Sequence, residues 1–268
     1  MKDESLCLHA GYTPENAGPR VMPIVQSTTF RYDTTKDIAD LFDLKTANYF
    51  YTRLGNPTCG HVEEKIAALE GGVGAMLTSS GQAATLTSVL TIAKAGDRIL
   101  CSASVYGGTF NLMAVTFKRM GIEVDFFEQS ESDEEIAKRI YPNTKAIFGE
   151  TIANPALTVF DISRFAALAH KHEIPLIIDN TFATPILCKP FDFGADIVVH
   201  STTKFLDGHA VQVGGVVVDS GKFDWAKSSK FPEFTTPDDS YHGLIYTQAF
   251  GNQAFIVKAR VQIMRDLG

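Results

Sequence analysis

Short apolar runs alternate with amphipathic segments through most of this chain. Between residues 74 and 219 these runs are four to six residues long. Such runs are typical of parallel strands covered on both faces, and the segments between them have helical periodicity. The pattern predicts an α/β fold with a mostly parallel, doubly wound sheet. Strands are predicted over 74–79, 98–102, 122–127, 145–150, 175–179, 196–200 and 213–219. Helices are predicted over 61–72, 133–140 and 162–172 and after the segments SGQAAT and YGGTFN.

The pattern also divides the chain into three regions. Residues 1–60 contain turn-forming stretches such as YTPENAGPR and few periodic apolar positions, which indicates an irregular arm. Residues 61–253 form the α/β domain, in which the polar and aromatic stretch 221–243 is too long for an ordinary connection. Residues 254–268 predict a helix with no stop signal before the last residue. We therefore expect this helix to lead into a C-terminal domain that the chain lacks.

Composition and charge narrow the class of protein. With 268 residues, 45% of them hydrophobic and 21% charged, the chain has an ordinary globular composition. A formal net charge of −7, with both signs interspersed, argues against nucleic acid as a partner. No apolar run reaches the ~18 residues of a membrane span, so no membrane association is expected. The four cysteines lie too far apart for a zinc or disulfide pattern, which indicates reduced thiols in a cytoplasmic protein: Cys7, Cys59, Cys101 and Cys188.

Polar residues follow several of the predicted strands, where ligands of open α/β sheets bind. Ser80, Gly81 and Gln82 form a turn into a helix, and the free N–H groups of a helix start favour an anion. Tyr106 precedes a Gly-Gly turn and offers an aromatic ring. The remaining strand ends supply carboxylates, amides, hydroxyls and one amine: Glu150, Asn154, Asp179, Asn180, Thr181, Ser201, Thr203 and Lys204.

Each of these features also has an ordinary structural explanation. Ser80 is a normal helix N-cap, Asp179 a normal turn former, and strand-end lysines such as Lys204 commonly extend to solvent. Together, however, they place complementary groups at one edge of one sheet. The set matches pyridoxal 5'-phosphate, which needs a cradled phosphate, a stacked ring, an acid at its pyridine nitrogen and a lysine for its aldehyde. The combined pattern therefore favours a pyridoxal phosphate site.

Other cofactors fit the sequence less well. The glycines around Gly72 and Gly74 lack the third glycine of a dinucleotide fingerprint and precede their strand, and no Gly-Lys-Ser/Thr loop occurs. His170 and His172 lie two residues apart and point to different helix faces, so no metal site is expected. A Gly-x-Ser-x-Gly nucleophile motif is also missing. A nicotinamide enzyme, a metallohydrolase and a serine hydrolase are therefore disfavoured.

These segments resemble the Cys/Met-metabolism, or trans-sulfuration, family of fold-type-I pyridoxal phosphate enzymes. The stretch VVHSTTKFLDGHA at residues 198–210 is similar to the lysine signature of that family. Its other segments match in order and spacing from about residue 5 to the end: PIVQSTTF, YFYTRLGNPT, TSSGQAA, SASVYGGT, GETIANP and PLIIDNTFATP.

The resemblance implies a role for each candidate residue. Lys204 corresponds to the Schiff-base lysine, Asp179 to the partner of the pyridinium nitrogen, and Tyr106 to the ring-stacking residue. Tyr51 and Arg53 match a Tyr-x-Arg pair that reaches the phosphate of the neighbouring subunit, which implies a homodimer or homotetramer with shared active sites. Catalytic roles fall to Lys204, Asp179, Tyr106 and Tyr51; the cofactor would be held by Ser80, Gly81, Gln82, Tyr106, Asn154, Asp179, Ser201, Thr203, Lys204, Tyr51 and Arg53.

An activity is implied by the same resemblance. The stretch at residues 218–243 resembles an insertion of the subgroup that replaces the acetoxy group of O-acetyl-L-homoserine by sulfide or a thiol. The products would be L-homocysteine, for methionine biosynthesis, and acetate. A methionine γ-lyase, a cystathionine γ-synthase, a β-lyase and a non-catalytic cofactor-binding fragment remain alternatives.

Two departures from the family pattern bear on the activity. Family members continue into a C-terminal domain whose arginine binds the α-carboxylate of the substrate. Thr151 also stands where many members have serine.

Overall fold

The computed structural model describes all residues, 1–268, and contains one seven-stranded sheet in the order β1-β7-β6-β5-β4-β2-β3. The strands are β1 (Gly74–Thr78), β2 (Arg98–Ser102), β3 (Glu123–Phe127), β4 (Thr144–Glu150), β5 (Leu176–Asp179), β6 (Ile197–His200) and β7 (Gly215–Asp219). The α-helices are α1 (Asp3–His9), α2 (Thr35–Phe42), α3 (Pro57–Glu70), α4 (Gly81–Leu90), α5 (Gly107–Asn111), α6 (Asp133–Ala137), α7 (Ile162–Lys171), α8 (Thr184–Leu187), α9 (Tyr246–Phe250), α10 (Ala254–Lys258) and α11 (Arg265–Leu267).

The sheet confirms the mostly parallel arrangement, with one exception. Strands β2 to β6 pair in parallel, whereas β7 is antiparallel to both β1 and β6. Every residue of β4, β6 and β7 is buried, which explains why these runs show no polar alternation. Because β7 is reversed, its first residue, Gly215, pairs with Thr78 at the end of β1. The start of β7 therefore lies at the same edge as the carboxyl ends of the parallel strands.

Helix α3 begins earlier than the predicted residue 61, for reasons that are visible locally. The side chain of Asn56 accepts a hydrogen bond from the N–H of Thr58 (2.9 Å), and Pro57 occupies the first turn. Gly71 ends the helix in the left-handed region (φ 79°), where a glycine is favoured.

Three other helical segments differ from the predicted ones. Helix α6 stops at Ala137 instead of residue 140, because the N–H groups of Arg139 and Ile140 donate to carbonyls only three residues back, those of Ile136 and Ala137 (3.0 Å each). The predicted helix over 254–268 is helical throughout but contains a π-helical stretch, Ala259–Met264, between α10 and α11. The arm contains the short helices α1 and α2 and is otherwise irregular.

The insertion over 221–243 is irregular, as expected, but its aromatic residues are part of the core. Trp225 stacks on Phe234, with ring centroids 4.3 Å apart, and on Phe255 of α10, at 5.5 Å. These rings and Phe231 belong to the same hydrophobic cluster as the buried strand residues. The insertion is therefore packed into the α/β domain and holds α10 against it.

Two features concern membrane-spanning helices and the state of the cysteines. None of the helices combines the length and apolar character that a bilayer span requires. The four cysteines are free thiols, of which Cys7 and Cys59 are exposed.

Arg260 joins the arm to the rest of the fold. Its guanidinium donates to the carbonyl of Leu54 (2.6 Å), to Oε2 of Glu63 on α3 (2.6 Å) and to the carbonyl of Ala75 on β1 (3.1 Å). Leu54 directly follows Arg53, so this one side chain fixes the part of the arm that carries a predicted site residue.

We expect Arg260→Gln to lower the free energy of unfolding by about 3 kcal/mol, because it leaves Glu63 buried without its partner. Urea denaturation measures this change, and faster tryptic cleavage after Arg53 should accompany it. The control is Arg31→Gln, which removes an ion pair with Asp33. Because the side chains of Arg31 and Asp33 are 89% and 85% exposed, this pair should contribute little to stability. Equal losses in the two variants would contradict the anchoring role of Arg260.

Candidate active site

The turn between β1 and α4 lies tightly against the segment that follows β6. A Cβ on Gly81 would come within 2.6 Å of the Cβ of Ser201, so only glycine allows this approach. The hydroxyl of Ser80 accepts from the N–H of Ala83 (3.1 Å), which makes Ser80 the N-cap of α4. The ordinary explanation of Ser80 is therefore correct, yet it does not exclude an anion site. The first N–H groups of α4, at Gly81 and Gln82, have no intrahelical partner, and Gly81 lies directly against Ser201.

Thr181 connects Ser201 to Asp179. The Thr181 hydroxyl accepts a hydrogen bond from the N–H of Ser201 (2.8 Å) and donates to Oδ1 of Asp179. The N–H of Thr181 donates to the same carboxylate oxygen (3.0 Å). Burial at the end of β5 raises the pKa of Asp179, whereas these two bonds and the charge of His200 oppose the rise. Asp179 is thus an acid in an apolar setting, with donors arranged to stabilise its charged form.

A second carboxyl group, that of Glu150, lies beside Asp179. The two residues are register partners at the ends of β4 and β5, and Glu150 is only 4% exposed. Burial and then the charge of Asp179 raise the pKa of Glu150 to about 8, although the N–H of Tyr106 donates to its Oε2 (2.6 Å). Glu150 therefore keeps its proton at neutral pH.

Tyr106 presents its ring at the same edge. The residue is 47% exposed, and its ring lies over Gly108, where a Cβ would come within 2.5 Å of the ring atom Cε1. Gln82 donates from Nε2 to the hydroxyl of Thr109 (3.1 Å), which ties α5 back to the start of α4. These contacts, together with the chain itself from Tyr106 to Thr109 and from Gln82 to Gly81, form a closed ring of residues: Gly81, Ser201, Thr181, Asp179, Glu150, Tyr106, Thr109 and Gln82.

Lys204 lies in the turn that follows Ser201, one of the residues of this closed ring. Its N–H donates to the carbonyl of Ser201 (3.2 Å), and its carbonyl accepts from the N–H of Gly208 (2.9 Å). Next to it, the hydroxyl of Thr203 accepts from the N–H of Gly214 (3.0 Å) near the start of β7. The Lys204 side chain is exposed and lines an open cavity of about 580 Å³ with Phe182. Its amine makes no hydrogen bond or ion pair within the chain, and is therefore available to a ligand.

Three of the predicted site residues, Asn154, Tyr51 and Arg53, make no hydrogen bond to the residues of this ring. Asn154 is half-buried in the loop after β4, and its side chain makes no hydrogen bond. In the arm, the guanidinium carbon of Arg53 lies 5.2 Å from the ring centroid of Tyr51. Arg53 lines a cavity of about 760 Å³ together with Thr202, but no hydrogen bond joins it or Tyr51 to the ring residues. Their assignment to the site of a neighbouring subunit stays a prediction.

Sequence analysis assigned no role to several residues of the ring. Glu150 and Thr181 were placed at strand ends, which was the available signal, but nothing in the sequence shows that they contact Tyr106 and Ser201. Thr109 and Gly108 follow Tyr106 within one helical turn and carry no distinctive pattern. Their contacts depend on how α4 and α5 pack, so only the structure identifies them.

The residues present fit pyridoxal phosphate. The Gly81 turn offers free N–H groups in a space that a Cβ would fill, and Tyr106 offers an exposed ring. Asp179 offers a carboxylate held by donors, and Lys204 an amine without a partner in the chain. Fold and site together define a pyridoxal phosphate-dependent enzyme of fold type I.

Comparison with known proteins agrees with this class. The sequence profile of the family described as Cys/Met metabolism PLP-dependent enzyme matches residues 4–252. The chain is 45% identical to the homocysteine/cysteine synthase of Saccharomyces cerevisiae and 47% identical to the O-acetyl-L-homoserine sulfhydrylase of Corynebacterium glutamicum. Each alignment covers 99% of this chain. The crystal structure of a putative O-acetylhomoserine (thiol)-lyase from Campylobacter jejuni, which contains a pyridoxyl-lysine phosphate, superposes with a TM-score of 0.96 at 34% identity. That match covers 100% of this chain and 66% of the other.

The chain belongs to the Cys/Met metabolism family of pyridoxal phosphate-dependent enzymes. It spans 61% and 62% of the lengths of the yeast and Corynebacterium relatives.

We expect Gly81→Ala to weaken cofactor binding about tenfold or more, because its methyl group collides with Ser201 and moves the anion-binding turn. The dissociation constant of pyridoxal phosphate, measured by absorbance, reports the effect. Gly107→Ala is the control, since a Cβ there has nothing within 4 Å. Equal affinities in the two variants would contradict a role for the Gly81 turn in binding.

We expect Glu150→Gln to change how stability depends on pH. Because the folded chain holds a proton that the unfolded chain releases between pH 4.5 and about 8, the native chain loses stability as pH rises through this window. Glutamine cannot ionise, and its amide oxygen can still accept from Tyr106. The melting temperature of Glu150→Gln should therefore rise relative to the unsubstituted chain from about pH 4.5 to about pH 8. Glu123→Gln, at an exposed carboxylate of β3, should show no such trend; a constant difference for Glu150→Gln would argue against its burial as an acid.

Proposed function

We propose that this chain carries the cofactor site of an O-acetylhomoserine sulfhydrylase. The reaction replaces the acetoxy group of O-acetyl-L-homoserine by sulfide or a thiol, and yields L-homocysteine and acetate in methionine biosynthesis. The observation that carries the proposal is the ring of contacts that gathers an anion-binding turn, a buried carboxylate and the Lys204 turn at one sheet edge. Relatives that bear this enzyme name support the choice of substrate.

Asp179 and Lys204 would have separate chemical roles in this reaction. When bound, pyridoxal phosphate supplies an electron sink that makes the α-proton of a substrate amino acid acidic. Asp179 would hold a proton at the pyridine nitrogen, since its carboxylate is stabilised by Thr181. The Lys204 amine would bind the cofactor aldehyde and, once released, move protons at Cα and Cβ of the substrate.

The remaining residues would bind and orient. Phosphate would be held at the turn of Ser80, Gly81 and Gln82, with the hydroxyls of Ser201 and Thr203. The ring of Tyr106 would stack on the pyridine ring, and Asn154 would lie near its 3'-hydroxyl. These roles require the residues to act on one ligand, which the closed ring of contacts supports.

A homodimer or homotetramer with shared sites is part of this proposal. Large apolar side chains next to the Lys204 turn are exposed, among them Phe205 (65%), Val211 (78%) and Val213 (72%). Such a patch supports coverage by another subunit. Tyr51 and Arg53 would then complete the phosphate site of that subunit. The proposed location is the cytoplasm, where the four free thiols stay reduced.

Reduction with borohydride tests the cofactor site. The chain with added pyridoxal phosphate should show an absorbance band between about 400 and 430 nm that borohydride bleaches, with the reduced cofactor recovered on the Lys204 peptide. Lys204→Ala should lose the label. Lys189→Ala, which removes an ion pair with Asp3, should keep it. A label on another lysine, or none in the unsubstituted chain, would overturn the proposal.

Turnover tests the reaction. In a chain extended to the length of its relatives, we expect homocysteine from O-acetyl-L-homoserine and sulfide, and Asp179→Asn in that chain should lower kcat by about 100-fold or more, since it removes the acid partner of the ring nitrogen. Product formation only with cysteine would indicate a cystathionine synthase, and 2-oxobutyrate without a sulfur donor a γ-lyase.

A further inference from the structure

A short helix follows Tyr106, whose ring the proposed mechanism stacks on the cofactor. Helix α5 is five residues long, and it begins with two glycines, which leave the backbone free to adopt many conformations. A Cβ on Gly107 would have nothing within 4 Å, so this position faces open space. The start of α5 therefore needs a contact with another element to fix the position of Tyr106.

The side chain of Glu150 supplies this contact. Hydrogen bonds of Tyr106 within the chain involve only its backbone. Its carbonyl accepts from the N–H of Phe110 in α5 (2.9 Å), and its N–H donates to Oε2 of Glu150 at the end of β4 (2.6 Å). The first bond is local to the helix. The bond to Glu150 is thus the one hydrogen bond that joins Tyr106 to the sheet.

Stability alone does not explain an acid at position 150. Glu150 is 4% exposed, and the ionisable groups that face it are the carboxyl of Asp179 on β5 and the thiol of Cys101 on β2. Burial and the charge of Asp179 raise the pKa of Glu150 to about 8 even though its carboxyl accepts from Tyr106. The bond therefore does not offset the effect of burial on the ionised acid, and an apolar residue would be easier to bury.

The ring of Tyr106 depends on where its backbone is held. The residue is 47% exposed, and the phenol hydroxyl has no hydrogen bond within the chain that would fix the ring directly. The ring lies over Gly108, where a Cβ would come within 2.5 Å of the ring atom Cε1. A backbone fixed by Glu150 on one side and a glycine beneath the ring on the other leave the phenol one place to lie.

We propose that Glu150 is a positioning residue, whose carboxyl group fixes the backbone of Tyr106 at the end of β4 and thereby holds the phenol ring where it stacks on the cofactor. This inference rests on the pyridoxal phosphate site proposed above. The effect of Glu150 on cofactor binding passes through Tyr106, and its acceptor oxygen is the atom that matters.

A double-mutant cycle on cofactor affinity tests this role. The dissociation constant of pyridoxal phosphate is measured by absorbance for the 268-residue chain, for Glu150→Met, for Tyr106→Leu and for the double variant. Methionine is an unbranched side chain with only a weak acceptor, so it leaves the N–H of Tyr106 unpaired. Glu150→Met should weaken binding about tenfold when Tyr106 is present, but less than about twofold in the Tyr106→Leu background, because no ring is left to position.

Two further variants separate positioning from general damage. Glu150→Gln keeps an acceptor oxygen for Tyr106, so its affinity should stay within about threefold of the unsubstituted chain. Asp219→Leu is the matched control, since Asp219 is 2% exposed and accepts the N–H of Gly221 (2.8 Å). Asp219 pairs with Gly74 at the start of β1, which lies at the opposite edge of the sheet. Its loss should lower the melting temperature and leave the dissociation constant within about twofold.

The outcomes separate this inference from the proposed function. If the unsubstituted chain binds no cofactor, or if Tyr106→Leu binds it as tightly, the proposed site or its stacking role is overturned, and this inference with it. If Glu150→Met weakens binding equally in both backgrounds or in neither, or if Glu150→Gln binds as weakly as Glu150→Met, only this inference is overturned.

A measurement without substitutions covers the case in which a variant does not fold. Because its N–H is bonded to a buried carboxyl, the amide of Tyr106 should exchange with deuterium at least about 100-fold more slowly than in an unstructured chain, although the residue is half exposed. Exchange followed by NMR reports the rate of this amide. Exchange at the unstructured rate would overturn the inference.

Discussion

The candidate site depends on how the ends of β5 and β6 are held together. Asp179 ends β5, and Ser201 and Lys204 follow β6. The hydroxyl of Thr181 spans the two, because it accepts the N–H of Ser201 and donates its own proton to Asp179. A hydroxyl combines donor and acceptor in one atom, which no aliphatic side chain of that size can do. The carboxylate is thereby held in a fixed position relative to the turn that carries the lysine.

Two acids at adjacent strand ends are costly to bury, and the fold offsets this cost in different ways. The N–H of Tyr106 donates to Glu150, which nevertheless remains protonated at neutral pH, while Asp179 receives two bonds from Thr181. Fully buried strands on either side supply the apolar packing that such a site requires. The two acids at the edge of the sheet are thus supported by an ordinary apolar core.

The arm and the end of the chain are positioned by contacts between distant parts of the sequence. Trp225 of the insertion stacks on Phe255 and holds α10. Two residues beyond α10, Arg260 bonds to the carbonyl of Leu54 in the arm. The stretch 221–243 is therefore linked through α10 and Arg260 to Leu54, the arm residue that follows Arg53. Its family likeness was visible in the sequence, but its packing was not, since aromatic residues in a polar stretch do not reveal which surface they cover.

Local patterns were sufficient to predict the strands, the α/β class and the helix start at Gly81, because strand burial and turn chemistry depend on neighbouring residues. The reversal of β7 and the pairing of Glu150 with Asp179 were decided by the sheet as a whole. The contact of Gln82 with Thr109 likewise depends on how two helices pack. The sequence by itself determined which chemical groups follow each strand. Only the tertiary structure decided which of them meet, because strand order and register bring together residues that are far apart in the chain.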